Sequence, residues 1–224
     1  ASTWNISSSS TVDNIMFNAI QIAQGNDNVD TVDVSAAFGT INTAGGNDGV
    51  TLSADVSSVL TGNGADTITI GATAISTNID AGGGSDTLIS PSRSAGATNE
   101  WRITSADDTL NTTVIFSSVE NYHGNNSNDH FLIDDGVSVG EIRGVSPLVA
   151  TDSGSDTLEI LSSTNDNLAW VITGDGEGDV SGRVTNFYGI ENLSGSEGED
   201  TFTFSSLSSL IRGLIDGGER AGAV

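Results

Sequence analysis

Residues 61–70 read TGNGADTITI, and twenty positions later residues 81–90 read AGGGSDTLIS. Each stretch starts with a glycine-rich turn, reaches an aspartate (Asp66, Asp86) and then alternates polar with apolar side chains. Glycine supplies the backbone conformations that tight turns need, and a period of two marks a strand with one buried face. The phrase recurs at Asp30 (DTVDV), Asp48 (DGVTL), Asp129 (DHFLI), Asp156 (DTLEI) and Asp200 (DTFTF). Two positions after each aspartate stands an apolar residue: Val32, Val50, Ile68, Leu88, Phe131, Leu158 or Phe202.

The aspartates lie 18, 18, 20, 43, 27 and 44 residues apart. The two longest gaps read as two units each, so the chain winds at about twenty residues per coil. Hairpins would not need the same aspartate at the same point of every unit. A solenoid does, because equivalent positions stack from coil to coil. The expected fold is therefore all-β, a right-handed parallel β-solenoid (β-roll or β-helix) with Gly/Asp-rich turns along one edge.

A longer repeat overlies the short one. Trp4, Trp101 and Trp170 open WNIS, WRIT and WVIT. Downstream come FNAIQIAQGNDNVD (17–30), FSSVENYHGNNSND (116–129) and FYGIENLSGSEGED (187–200). Phenylalanine to glycine is eight residues and glycine to aspartate five in all three copies. The chain thus reads as one continuous domain, 1–224, with internal repeats at about 4–100, 101–169 and 170–224. A third phrase, STNIDAGGGSDTL (76–88), returns as SPLVATDSGSDTL (146–158) and begins again at 211–222 without its aspartate. The tryptophans are expected to point inward, since large aromatics usually serve cores. Asn121 and Asn192 stand where the first copy has Ile22, which predicts buried, hydrogen-bonded amides.

Thirty acidic residues face six basic ones, all arginine, for a net charge of −24. Such a surface repels nucleic acid and anionic membranes, and it repels itself unless cations offset it. There is no cysteine, and the two histidines are His123 and His130, so thiolate or imidazole zinc sites are not expected. No apolar run reaches the length of a membrane span and no signal peptide is recognisable; the abrupt ends read as those of an excised piece.

An aspartate closing a glycine-rich turn suits a hard cation: calcium takes six to eight oxygens, and glycine lets carbonyls turn inward. The candidate metal ligands are Asp30, Asp48, Asp66, Asp86, Asp129, Asp156 and Asp200, with Asp27, Asp80 and Asp152 beside them. Asn26, Asn47, Asn63, Asn128 and Glu199 could add oxygens. The competing reading is that each aspartate only hydrogen-bonds its own turn. Recurrence in register on so acidic a chain favours calcium at some of them.

The turns resemble degenerate repeats-in-toxin nonapeptides, G-G-x-G-x-D-x-U-x; residues 62–68 and 82–88 match best. The longer W-x-I-T … V-E-N-L-x-G unit resembles repeats of giant haemagglutinin-like adhesins. The resemblance implies a secreted, calcium-binding bacterial surface or matrix protein that folds on meeting external calcium. A solenoid with uncapped ends exposes backbone donors and acceptors, so end-to-end self-association or neighbouring repeats of the same long chain are the expected partners. Here the signature falls on one side of each coil only. An enzyme is not expected: a polysaccharide-modifying site would need Arg102, Arg143 or Arg183 beside clustered acids, and no such constellation stands out. The alternative is a module for surface glycans, with Tyr122 and Tyr188 as exposed aromatics. Thr67/Thr69 and Thr201/Thr203 are isolated T-x-T pairs, too few for an ice-binding face.

Overall fold

The computed structural model describes residues 2–6, 10–12, 15–17, 21–71, 75–94, 96–147, 154–162 and 166–218; Asp152 lies outside these. Among them there is no helix, and the strands pair mostly in parallel. The chain divides into two compact units, the first of residues 1–92 and 109–122, the second of residues 93–108 and 123 onward.

In the first unit, Ser2–Ile6, Asp30–Val34, Gly49–Leu52, Thr67–Ile70 and Thr87–Ile89 make one parallel array. Ile22–Asn26, Phe38–Ala44, Val56–Leu60, Thr77–Asp80 and Val114–Ser117 make a second. Apart from the short pair Asn63–Gly64 and Gly83–Gly84, the strands from Ile22 to Ile89 fall alternately in the two arrays, so each pairs with strands about one repeat away. The registers align Trp4, Val32, Val50, Ile68 and Leu88 in one row. Ala23, Ile41, Val59, Ile79 and Phe116 form a row in the other array. Apart from half-buried Trp4, every member of both rows is buried. Trp4, Ala23, Val32 and Ile41 gather around one spot, which brings the two inner rows together. Burial at about 1.5–3 kcal/mol per large aliphatic side chain drives the alternation read in the sequence.

In the second unit, Thr98–Ile103, Asn128–Ile133, Thr157–Ile160, Asn192–Ser194 and Ile215–Asp216 form a parallel array. Its inner row runs Trp101, Phe131, Leu158, Leu193, Ile215. The Trp101 ring stacks on Phe131 with centroids 5.4 Å apart, and Trp170 stacks on Phe202 at 5.3 Å. Both tryptophans are essentially fully buried, as expected. In the first unit Trp4 meets Val32 instead of a ring.

The 44-residue gap between Asp156 and Asp200 is not two plain coils. Ala169–Ile172, Gly178–Val180 and Val184–Tyr188 form an antiparallel meander. Its outer strands then pair in parallel with Thr201–Phe204 and Val139–Arg143. Ser2–Ile6, Ser10–Val12 and Ile15–Phe17 repeat the antiparallel arrangement. Two tight turns make the reversal: Thr173 N–H donates to Glu177 O at 2.9 Å, and Arg183 N–H to Val180 O at 2.9 Å across Gly182. Gly182 sits at φ +75°, a conformation that favours glycine.

Candidate functional site

The recurring aspartates form hydrogen-bonded columns. In the first unit, the Asp30 N–H donates to Asp48 Oδ1, Asp48 N–H to Asp66 Oδ1, and Asp66 N–H to Asp86 Oδ1, each at 2.8 Å. The Asp86 N–H donates to Glu120 Oε2 at 2.9 Å. The second unit repeats the rule: Asp129 N–H donates to Asp156 Oδ1 at 2.7 Å, and Asp156 N–H to Glu191 Oε2 at 2.9 Å. Asp30, Asp48, Asp66, Asp86, Asp129 and Asp156 are all buried, while Asp200 is half-buried. A buried amide must find an acceptor, and a carboxylate makes the stronger, charge-assisted bond. The aspartates thus tie each repeat to the next.

Asp30, Asp129 and Asp200, which close the 14-residue phrase, have both oxygens engaged. One oxygen accepts Ser2 N–H, Trp101 Nε1–H or Leu168 N–H. The other accepts the amide four residues upstream, from Asn26, Asn125 or Ser196. The preceding residue is in each case the invariant glycine of the phrase. A Cβ on Gly25, Gly124 or Gly195 would collide with the carboxylate it faces. The fixed five-residue spacing therefore has a steric cause.

Asp48, Asp66 and Asp86 close the glycine-rich turns and differ. Their Oδ2 atoms are buried without a hydrogen-bond donor; the Thr43 hydroxyl near Asp48 donates instead to Thr61 O at 3.0 Å. Burial pushes Asp86 up to about 6, against the pull of the Asp66 amide and with help from the Asp66 and Glu120 carboxylates. Burial also raises Asp48, aided by Asp66 and Asp30. The turns ahead of these aspartates stack backbone on backbone, Asn63–Gly64 pairing in parallel with Gly83–Gly84. Gly62 and Gly82 share one left-handed position, at φ +93° and +88°, and a Cβ there would strike the carbonyl of the turn below. Among the described residues, no three Asp, Glu or His side chains converge as a metal cage. A cation at these turns would need backbone carbonyls to complete its shell.

The remaining candidates serve the turns. Asp80 is exposed, and its Oδ1 accepts Gly82 N–H at 3.1 Å and the Ser118 hydroxyl at 3.0 Å. Asp27 and Glu199 are exposed. Asn47 Oδ1 accepts Ala65 N–H, and Asn128 Oδ1 accepts Ser155 N–H, bracing one turn on the next. Asn121 and Asn192 are not inward: both are half-exposed, and Ile22 is 62% exposed. Their side chains lie along the surface and donate to Asp86 O and Ser85 Oγ, or to Asp156 O and Ser155 Oγ. The alternation was read one residue out of phase, because Tyr122 and Leu193 take the inward places.

Sequence reasoning passed over Glu120 and Glu191, which end the two columns. Their signal was their identical place before Asn121 and Asn192. It also passed over a polar cluster in the second unit: Arg143 donates to Glu141 at 2.6 and 3.0 Å, and the ring nitrogen of His123 lies 2.8 Å from Glu141. The Arg143 guanidinium covers Tyr188, 4.2 Å from the ring centroid. Burial lowers His123 against the Glu141 hydrogen bond. Despite its own burial, Glu141 is held below the ordinary carboxylate value by Arg143 and His123. Tyr122 is buried with its hydroxyl on Val119 O at 2.7 Å, so neither tyrosine is a free aromatic platform. His130 sits between Glu100 at 3.0 Å and Glu159 at 2.8 Å, one carboxylate at each ring nitrogen. Arg102 pairs with Asp134, and buried Arg183 binds Asp166 and the carbonyls of Asp134 and Leu161.

No family model, curated protein or solved structure matches this chain.

Proposed function

We propose that the chain is a calcium-stabilised parallel β-solenoid, acting as a structural repeat segment of a secreted bacterial adhesin, surface layer or extracellular matrix. The observation that carries the reading is the column Asp48, Asp66 and Asp86, each with one carboxylate oxygen tied to the neighbouring repeat and one buried without a donor. Alternation of strands between two parallel arrays supports the winding, since one repeat then makes one coil. Calcium would be held by these three carboxylates with main-chain carbonyls of the turns before them, and would supply the positive charge that the column lacks. Asp30, Asp129 and Asp200 fit a purely structural role, because hydrogen bonds already occupy both oxygens.

A chain of net charge −24 with buried carboxylates folds more readily where calcium is plentiful. That condition is met outside the cell, and neither the column nor the buried tryptophans present a catalytic arrangement. Rigid length and end-to-end contacts with further repeats would be the working output. The test is a calcium titration followed by far-UV circular dichroism, with magnesium and chelator as controls. A calcium-specific gain of β signal or thermal stability supports the reading. A spectrum and melting temperature unchanged by chelator would reduce the column to hydrogen bonding alone.

A further inference from the structure

We infer that the hydroxyls of Thr43 and Thr61 are cation ligands, serving the sites of Asp48 and Asp66 and leaving that of Asp86 one oxygen short. The inference deepens the calcium reading proposed above and rests on it. Gly25, Thr43, Thr61 and Ala81 each stand five residues before a column aspartate: Asp30, Asp48, Asp66 or Asp86. The strand registers continue into these positions and stack them as a second column. A Cβ on Gly25 would collide with the Asp30 carboxylate, so this second column faces the first. The Thr43 side chain accordingly stands beside the Asp48 carboxylate.

Thr43 and Thr61 are both buried, and their protons are already committed. Thr43 donates its hydroxyl to Thr61 O at 3.0 Å, and Thr61 donates to Ala81 O at 2.9 Å. A hydroxyl whose proton points at a carbonyl turns only lone pairs toward its other neighbours. Asp48 Oδ2 and Asp66 Oδ2 are buried and receive no donor. Electron-rich oxygens side by side, with no hydrogen between them, repel one another unless a cation joins them. Calcium is built for such a place, since it gathers six to eight oxygens in flexible geometry.

The other two members of the second column carry no oxygen in the side chain. Gly25 precedes Asp30, whose two carboxylate oxygens are taken by the amides of Ser2 and Asn26, so no ion is called for. Ala81 precedes Asp86, whose Oδ2 is also buried without a donor. The Asp86 turn therefore keeps the bare carboxylate but meets a methyl group where the two turns before it offer a hydroxyl. Three turns that look alike around their aspartates thus differ in one ligand, and the Asp86 site should be the weakest.

The test titrates calcium by calorimetry into the 224-residue chain and its variants, each shown by circular dichroism to be folded. Thr43→Val keeps the branched shape but removes the oxygen, and one site should weaken about tenfold or more. Thr43→Ser, which keeps a hydroxyl, should bind as the parent does. Terbium in place of calcium reports the shell directly: luminescence lifetimes in water and heavy water should show one more bound water in Thr43→Val. A purely structural Thr43 would lower stability equally with and without calcium, and would move neither affinity nor hydration. Ala81→Ser should tighten one site, and it tests the inference even where Thr43→Val does not fold. A parent that binds calcium, with unchanged affinity and hydration in Thr43→Val or no gain in Ala81→Ser, would overturn the inference and leave the calcium reading standing. A parent that binds no calcium removes both.

Discussion

Glu120 offers a test of the column that does not involve a proposed calcium ligand. Its Oε2 accepts the Asp86 N–H at 2.9 Å, and its own N–H meets Asp86 O at 3.3 Å. Replacing it with alanine leaves the main-chain amide of a fully buried residue without its carboxylate acceptor. Leaving a buried donor unmet costs about 1–3 kcal/mol. For a chain of this size, about 2 kcal/mol corresponds to a melting temperature lower by roughly 4–8 °C. Glu120→Gln keeps an oxygen for the amide and removes one of the negative charges that push Asp86 up. It should therefore cost less than about 0.5 kcal/mol, and the Asp86 carboxyl should titrate at lower pH than in the parent. Urea unfolding followed by tryptophan fluorescence gives the two stabilities, and carbon-detected NMR gives the titration. If alanine and glutamine prove equally harmful, the oxygen acceptor is not what Glu120 contributes, and the column is not the tie between repeats.

Gly195→Ala should destabilise by more than about 2 kcal/mol, because its Cβ would enter the Asp200 carboxylate; Gly49→Ala, with open space around the added carbon, should be neutral or slightly stabilising by thermal melt. Phe131→Ala should cost about 3–5 kcal/mol in urea unfolding, since it empties a fully buried site stacked under Trp101. With calcium chelated, stability should fall as pH rises from about 4 to about 6: Asp86 titrates near 3.8 when unfolded and about 6 when folded, so the folded chain holds the extra proton in that window. Below it, the lowered Glu141 acts in the opposite sense and stability falls again as that carboxylate protonates, so a melting-temperature profile without a mildly acidic maximum would contradict both assignments.

The strand positions were legible because D-x-Φ-x-Φ leaves little choice about which side chains are buried. Val32, Val50, Ile68 and Leu88 lie in one register, as their spacing demands. The meander between Trp170 and Phe187 was not legible from the spacing alone. A gap of 44 residues fits two coils as well as one coil plus a reversal, and the reversing turns are short. The face of Asn121 is not legible from its counterpart Ile22, because that isoleucine, though apolar, is exposed. The seven aspartates were found but read as one class. The 14-residue phrase already sets Asp30, Asp129 and Asp200 apart from Asp48, Asp66 and Asp86 in the sequence, but what the difference means shows only in the partners of their second oxygens.

The residues in register with the column aspartates, and those that close the columns, show why carboxylates are used at all. Ser2 lies in register with Asp30 and donates its N–H to it, and Leu168 donates likewise to Asp200. Asn99 lies in register with Asp129 in the strand of Trp101. None of these three residues is acidic, although each occupies the place an aspartate takes in the repeats that follow. Aspartate appears where an upstream amide needs an acceptor; where the column closes on Glu120 or Glu191, a longer acid reaches back to do the same work. Asparagine could accept such an amide without charge. Placing an ionised group there instead gives a stronger bond, but accumulates charge from Asp30 through Glu120 along one buried line. On the calcium reading proposed above, a positive charge beside the stack would offset that accumulation, and a dependence on protons or cations would follow from the same atoms that join the repeats.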